Sequence, residues 1–137
     1  MKIRRAKVAL VLYVALLAGL VLLADDGKGA WMFALADHLP WGDKIGHFIL
    51  MGILSFLVNL LWRAAGTKLY GWTVLKGSAI ILSIVTLEEC SQLFFKSRTF
   101  DLFDLAADAV GIWAFGRLAV IYLQRRRAAL AALHQGR

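Results

Sequence analysis

The 137-residue chain is 61% hydrophobic, with a mean hydropathy of +0.70 and a formal net charge of +7. Soluble domains lie nearer to roughly 45–50% apolar, so this composition indicates an integral membrane protein and leaves no room for a separate soluble catalytic domain. The single cysteine, Cys90, excludes an internal disulfide and a cysteine-built zinc or iron–sulfur cage, and in so apolar a chain the positive charge reads as basic membrane flanks rather than a nucleic-acid surface.

Met1–Lys7 is a basic leader carrying Lys2, Arg4, Arg5 and Lys7, and Val8–Ala24 follows without a charge. A signal peptide also joins a basic start to an apolar core, but Leu22-Leu23-Ala24 is a poor cleavage site. The expectation is an uncleaved first transmembrane helix over 8–24, slightly short for a core of about 30 Å. Asp25–Asp43 reads as a loop. Within it Trp31–Leu35 is an interfacial stretch, Pro40 is a helix stop, and Asp43 is placed to cap the helix that follows. A second span is expected over 45–62, and a short basic connection with Gly66, Gly71, Tyr70 and Trp72 over 63–76. A third span follows over 74–95, a tight turn at Lys96–Thr99, and a fourth span over 102–123. The basic tail 124–137, with Arg125-Arg126-Arg127, reads as a surface helix or frayed end that anchors on anionic lipid.

Charge asymmetry sets the sides. Twelve of the sixteen lysines and arginines, and none of the nine acids, fall in the leader, the 63–76 connection, Arg117 and the tail. The opposite side holds Lys28, Lys44, Lys96 and Arg98 with every acid. The positive-inside rule then places both termini in the cytoplasm. The expected fold is all-α, a polytopic four-transmembrane-helix bundle forming one membrane domain.

That topology brings the start of helix two, the end of helix three and the start of helix four to the outer side. There the chain reads EECSQLFFKSRTFDLFDLAADAVG from Glu88 to Gly111. A charge at bilayer depth costs about 2.5–3.5 kcal/mol on insertion scales, so each needs a partner or water. At roughly 100° per residue, Asp43 and His47 share one helical face, and Glu88, Glu89 and Gln92 share another. Asp101, Asp104 and Asp108 share a third, which Gly111 continues. Polar faces in a membrane turn toward each other. The reading is a pocket open to the outside, walled by Leu50, Leu54 and Leu61, with Gly111 permitting close helix approach.

The same residues carry a family resemblance. Asp43-Lys44-Ile45-Gly46-His47-Phe48, then Glu89-x-x-Gln92, then Arg98-x-x-Asp101-x-x-Asp104, a polar residue four on, and Gly111 together resemble the VanZ-like family. These are small bacterial membrane proteins named after a teicoplanin-resistance factor. The resemblance spans about 40–116, and its specificity lies in the ordered set, not in any one motif. In the family pattern the position of Asp108 commonly holds Asn, so this chain carries an extra carboxyl there. The resemblance implies the bacterial cytoplasmic membrane and a role in glycopeptide resistance or envelope maintenance.

The candidate ligand pocket is therefore Asp43, His47, Glu89, Gln92, Arg98, Asp101, Asp104 and Asp108. Each residue has a structural alternative. Asp43 and His47 are either a cap and a bundle hydrogen bond or a proton-transfer pair. Glu88 and Glu89 either face the rim and pair with Arg98 or Lys44, or supply an acid, with Glu89 the choice. Arg98 either neutralises the aspartates or binds an anion such as a lipid phosphate. The aspartates with His47 and Glu89 are the oxygen-rich set that suits Mg²⁺, Mn²⁺ or Ca²⁺, but no metal motif accompanies them, and no metal or cofactor is expected. Cys90 points away from the Gln92 face, which argues against a Cys–His nucleophile. The leading function is binding of a cell-envelope component: a lipid head group, a lipid-linked sugar or glycan, or a glycopeptide. The alternatives are a small membrane enzyme with Glu89 and His47 as catalytic acid/base and Arg98 on phosphate, and a proton-coupled transporter, for which four helices are few unless the chain forms a homo-oligomer. The expected partners are membrane lipids, not nucleic acid.

Overall fold

A computed structural model describes residues 3–25, 41–92 and 101–135. Among them, four helices and one hairpin follow in order: α1 (Ile3–Asp25), α2 (Gly42–Leu61), β1 (Gly66–Leu69), β2 (Trp72–Leu75), α3 (Lys76–Gln92) and α4 (Leu102–Gln135). Three helices are long and apolar enough to cross a membrane, over Arg4–Leu23, Gly42–Leu61 and Leu102–Leu133. The 17 residues of α3 reach only about 25 Å, less than a hydrocarbon core. Trp31–Leu35, Pro40, the Lys96–Thr99 turn with Arg98, and the side chain of Gln92 lie outside the described residues.

Local chemistry shifts several expected boundaries. The short basic connection over 63–76 contains a β-hairpin. Its turn residues Tyr70 and Gly71 have φ of 48° and 81°, the left-handed pair that a type I′ turn requires. Strand pairing from Gly66↔Leu75 to Leu69↔Trp72 takes Val74 into β2, so α3 starts at Lys76. Asp43 does not cap α2: the N-cap is Trp41 at φ 65°, without a side-chain cap bond. Asp43 stands in the first turn, where its charge still suits the positive end of the helix dipole. The basic tail is no separate piece, because α4 continues unbroken to Gln135. Ala128, Ala129, Ala131 and Ala132 favour helix there, and neither Gly nor Pro occurs between Arg117 and Gln135. At 34 residues α4 is about 50 Å long and exceeds any bilayer core.

The principal interface joins α2 to α4, and the two run parallel. Contacts advance in step along both: Lys44 with Asp101 and Asp104, His47 with Asp108, Phe48 with Phe115, and Phe56 with Tyr122. Small residues set the spacing. A Cβ on Gly111 would collide with the carbonyl oxygen of Phe48, and one on Gly52 would strike the ring of Phe115. Such contacts are how helices associate in lipid, where apolar side chains gain nothing by leaving one apolar medium for another.

α3 runs antiparallel to both, with Ile81 and Val85 packed against Ile112, Met51, Leu54, Val58 and Leu105. Toward the hairpin a buried polar knot replaces this core. Asn59 Nδ2 donates to Ser78 Oγ at 2.9 Å and to the Ser55 carbonyl at 2.9 Å, while Ser55 Oγ donates to the Ile112 carbonyl at 2.8 Å. α1 leans chiefly on α2, where Tyr13 Oη donates to the Leu50 carbonyl at 2.8 Å. Most of its apolar surface is uncovered, with Val11 68% and Leu12 66% exposed. That is the surface a multi-pass membrane protein presents to lipid rather than water.

Candidate functional site

The polar residues collect at the end of the bundle where α2 and α4 begin and α3 ends. They form two groups, not one. The outer group centres on Lys44, whose Nζ lies 2.5 Å from Asp43, 2.8 Å from Asp101 and 2.9 Å from Asp104. Asp101 has a second duty: its Oδ1 accepts the Phe103 backbone N–H at 2.8 Å, which makes it the N-cap of α4. The Lys44 ammonium and that N–H hold the Asp101 carboxyl below the usual carboxylate range.

The inner group is His47, Glu89 and Asp108. His47 Nδ1 stands 3.1 and 3.2 Å from the two oxygens of Asp108. Asp108 and Glu89 are buried, at 1% and 2% exposure. One ligand atom from each of the three lies within 4.8 Å of the others. An imidazole and two carboxylates at such spacing can share a proton or surround a divalent cation. Asp43, Asp101 and Asp104 converge equally closely, but the Lys44 ammonium occupies their centre.

Beside the inner group is a cavity of about 410 Å³ into which all four helices project. His47, Glu88, Glu89, Asp104 and Asp108 line one part. Leu17, Leu20 and Val21 of α1 face them with Leu50, Met51 and Leu54 of α2. The leucine wall expected from α2 is present, with α1 as a further wall. Leu61 is not part of it.

Of the eight residues read from the sequence, His47, Glu89, Asp104 and Asp108 meet at this cavity. Asp43 and Asp101 are diverted to Lys44, and Arg98 and the Gln92 side chain fall outside the described residues. The cation assigned to the aspartates was Arg98, yet Lys44 is the one seen among them. Its signal was the i, i+3 spacing to His47, which puts both on the α2 face turned toward Asp101, Asp104 and Asp108. The cavity's described ionisable lining is four carboxyls, Glu88, Glu89, Asp104 and Asp108, and the His47 imidazole, an acidic set. Cys90 is exposed and apart from this lining.

Comparison of the chain with protein-family models, with curated proteins and with solved structures finds no significant match.

Proposed function

We propose that this protein is a four-span protein of the bacterial cytoplasmic membrane, with both termini in the cytoplasm, that binds the head of an amphipathic cell-envelope molecule in the cavity beside His47, Glu89 and Asp108. The observation that carries this reading is the cavity's two-sided lining, with buried carboxylates and an imidazole on one part and leucines of α1 and α2 on the other. A lipid-linked molecule offers a polar head and an apolar chain in the same arrangement. The basic residues of the hairpin end support the orientation, and the alternating helix directions support α3 as the remaining span. The ordered motifs support a VanZ-like assignment and its envelope role.

The acidic lining narrows the head group. Carboxylates accept hydrogen bonds and repel phosphate, and Lys44 is already held by three aspartates. A head rich in donors, such as sugar hydroxyls or an amine, suits this lining better than an anion. Photo-crosslinking with a diazirine-bearing polyprenyl-linked sugar tests the reading. Label is expected on Leu17–Val21 and Leu50–Leu54, with loss in Asp108→Ala. Labelling no higher than that of a plain diacyl lipid would overturn it.

A second reading, a small enzyme, draws on the His47–Asp108 pair. A carboxylate on Nδ1 orients an imidazole and leaves Nε2 to exchange a proton, the arrangement used by many general bases. Glu89 stands ready as its acid partner. Turnover of the same sugar lipid by wild type, abolished in His47→Gln, distinguishes this reading from binding alone.

A further inference from the structure

A second cavity, of about 580 Å³, lies at the opposite end of the bundle between the hairpin, α3 and α4. Its volume falls within the range of about 300–1,000 Å³ that ligand clefts occupy. Its apolar floor includes Ala79, Leu82 and Ile112, and its rim includes Trp72, Trp113 and Arg117. We propose that this groove holds an anionic phospholipid, with the phosphate on Arg117 and one acyl chain lying between α3 and α4.

Charge complementarity names the occupant. No acid lines this groove among the described residues, and the ion pairs of Lys44 and His47 belong to the other end. No described acid pairs with Arg117, while Arg63, Lys68, Lys76 and Arg125–Arg127 add positive charge toward the same end. Arg117 also lies about 24 Å along α4 from Asp101, near the far edge of a hydrocarbon core of about 30 Å. An arginine at that level is costly unless its guanidinium meets water or a phosphate, and its planar fork matches phosphate oxygens. Trp72 and Trp113, 76% and 65% exposed, flank it as aromatic side chains do at the head-group level. The hydroxyl of Ser83 turns back onto the Ala79 carbonyl at 3.0 Å, which leaves the floor suited to a hydrocarbon chain. This site is independent of the acidic cavity and does not rest on its ligand.

The test is native mass spectrometry of the full-length protein released from detergent containing equal phosphatidylglycerol and phosphatidylcholine. Wild type is expected to retain one phosphatidylglycerol in preference to phosphatidylcholine. Arg117→Gln should lower that preference roughly fivefold, the effect of one basic residue at a membrane surface. Arg125→Gln, on the same helix beyond the groove, should lower it by much less. Ala79→Trp keeps Arg117 and fills the floor, and should lose bound lipid of either kind. Equal losses in Arg117→Gln and Arg125→Gln, lipid retained by Ala79→Trp, or a lipid-free dimer covering the groove would each overturn the proposal.

Discussion

Asp108 Oδ1 lies 3.1 Å from His47 Nδ1, joining residues 61 apart in sequence. Both line the cavity, but the carboxylate is 1% exposed and wedged between helices, whereas the His47 side chain is 36% exposed. This asymmetry makes the pair a link between helix packing and ligand. Asp108→Ala should lower thermal stability in detergent, and a double-mutant cycle with His47→Ala should return a coupling of about 1 kcal/mol. Contacting residues couple by about 0.5–3 kcal/mol, and the open side of His47 places the pair toward the lower end. Additive effects would mean that the two do not interact.

Glycine-mediated helix approach gives a sharper stability contrast. At Gly111 an added Cβ meets the Phe48 carbonyl, whereas at Gly46 it meets nothing within 4 Å. Gly111→Ala should cost about 1–3 kcal/mol, as overpacking does, and Gly46→Ala should be nearly silent. Comparing their melting midpoints in detergent checks this, and equal midpoints would contradict the close α2–α4 contact.

Lys44 occupies the centre of a ready-made acidic cage. Removing it as Lys44→Ala leaves Asp43, Asp101 and Asp104 with oxygens within 4.8 Å of one another, a set suited to Ca²⁺ or Mn²⁺. The variant should be stabilised by added Ca²⁺, by about 1.4 kcal/mol at ten times its Kd. Wild type should not respond, because its own ammonium fills the position. A thermal-shift titration separates the two, and a Ca²⁺ response of equal size in both would sink the idea.

Asp101 supplies a pH dependence. Its folded pKa is depressed below the ordinary 3.8 by Lys44 and the Phe103 N–H. The stability it contributes is therefore fully present above about pH 4 and is lost as pH falls through the lower folded value. Tryptophan fluorescence followed from pH 6 to pH 2.5 should show a loss of stability that is smaller in Asp101→Asn. Superimposable acid profiles would remove Asp101 from the account.

Much of this was legible in the sequence because polarity inside apolar segments is expensive and therefore informative. Helical spacing grouped His47 with the acids of the later helices, and Gly111 marked a close approach that the Phe48 carbonyl occupies. The axial register of one helix against another was not legible. It decides that Asp101 and Asp104 turn to Lys44 while Asp108 turns to His47, and it divides one expected pocket into a salt-bridged rim and an inner site. The hairpin was hidden because Tyr70-Gly71 lacks the Asn-Gly signature of a type I′ turn and its strands are only four residues long. The knot of Ser55, Asn59 and Ser78 was hidden for another reason. Serines in an apolar helix can satisfy themselves on their own backbone, as Ser83 does, and spacing does not tell which of them will reach across.

The principal interface, between α2 and α4, has a consequence for biogenesis. Lys44 and Asp101 are 57 residues apart, which at about 5–20 residues per second is roughly 3–11 s of translation. During that interval the α4 carboxylates that meet Lys44 and His47, namely Asp101, Asp104 and Asp108, have not yet been made. The polar end of α2 must wait at the head-group level, where lysine can reach water, until the start of α4 emerges. Staged insertion is the expected outcome, with α2 settling to its final depth only once α4 has joined it.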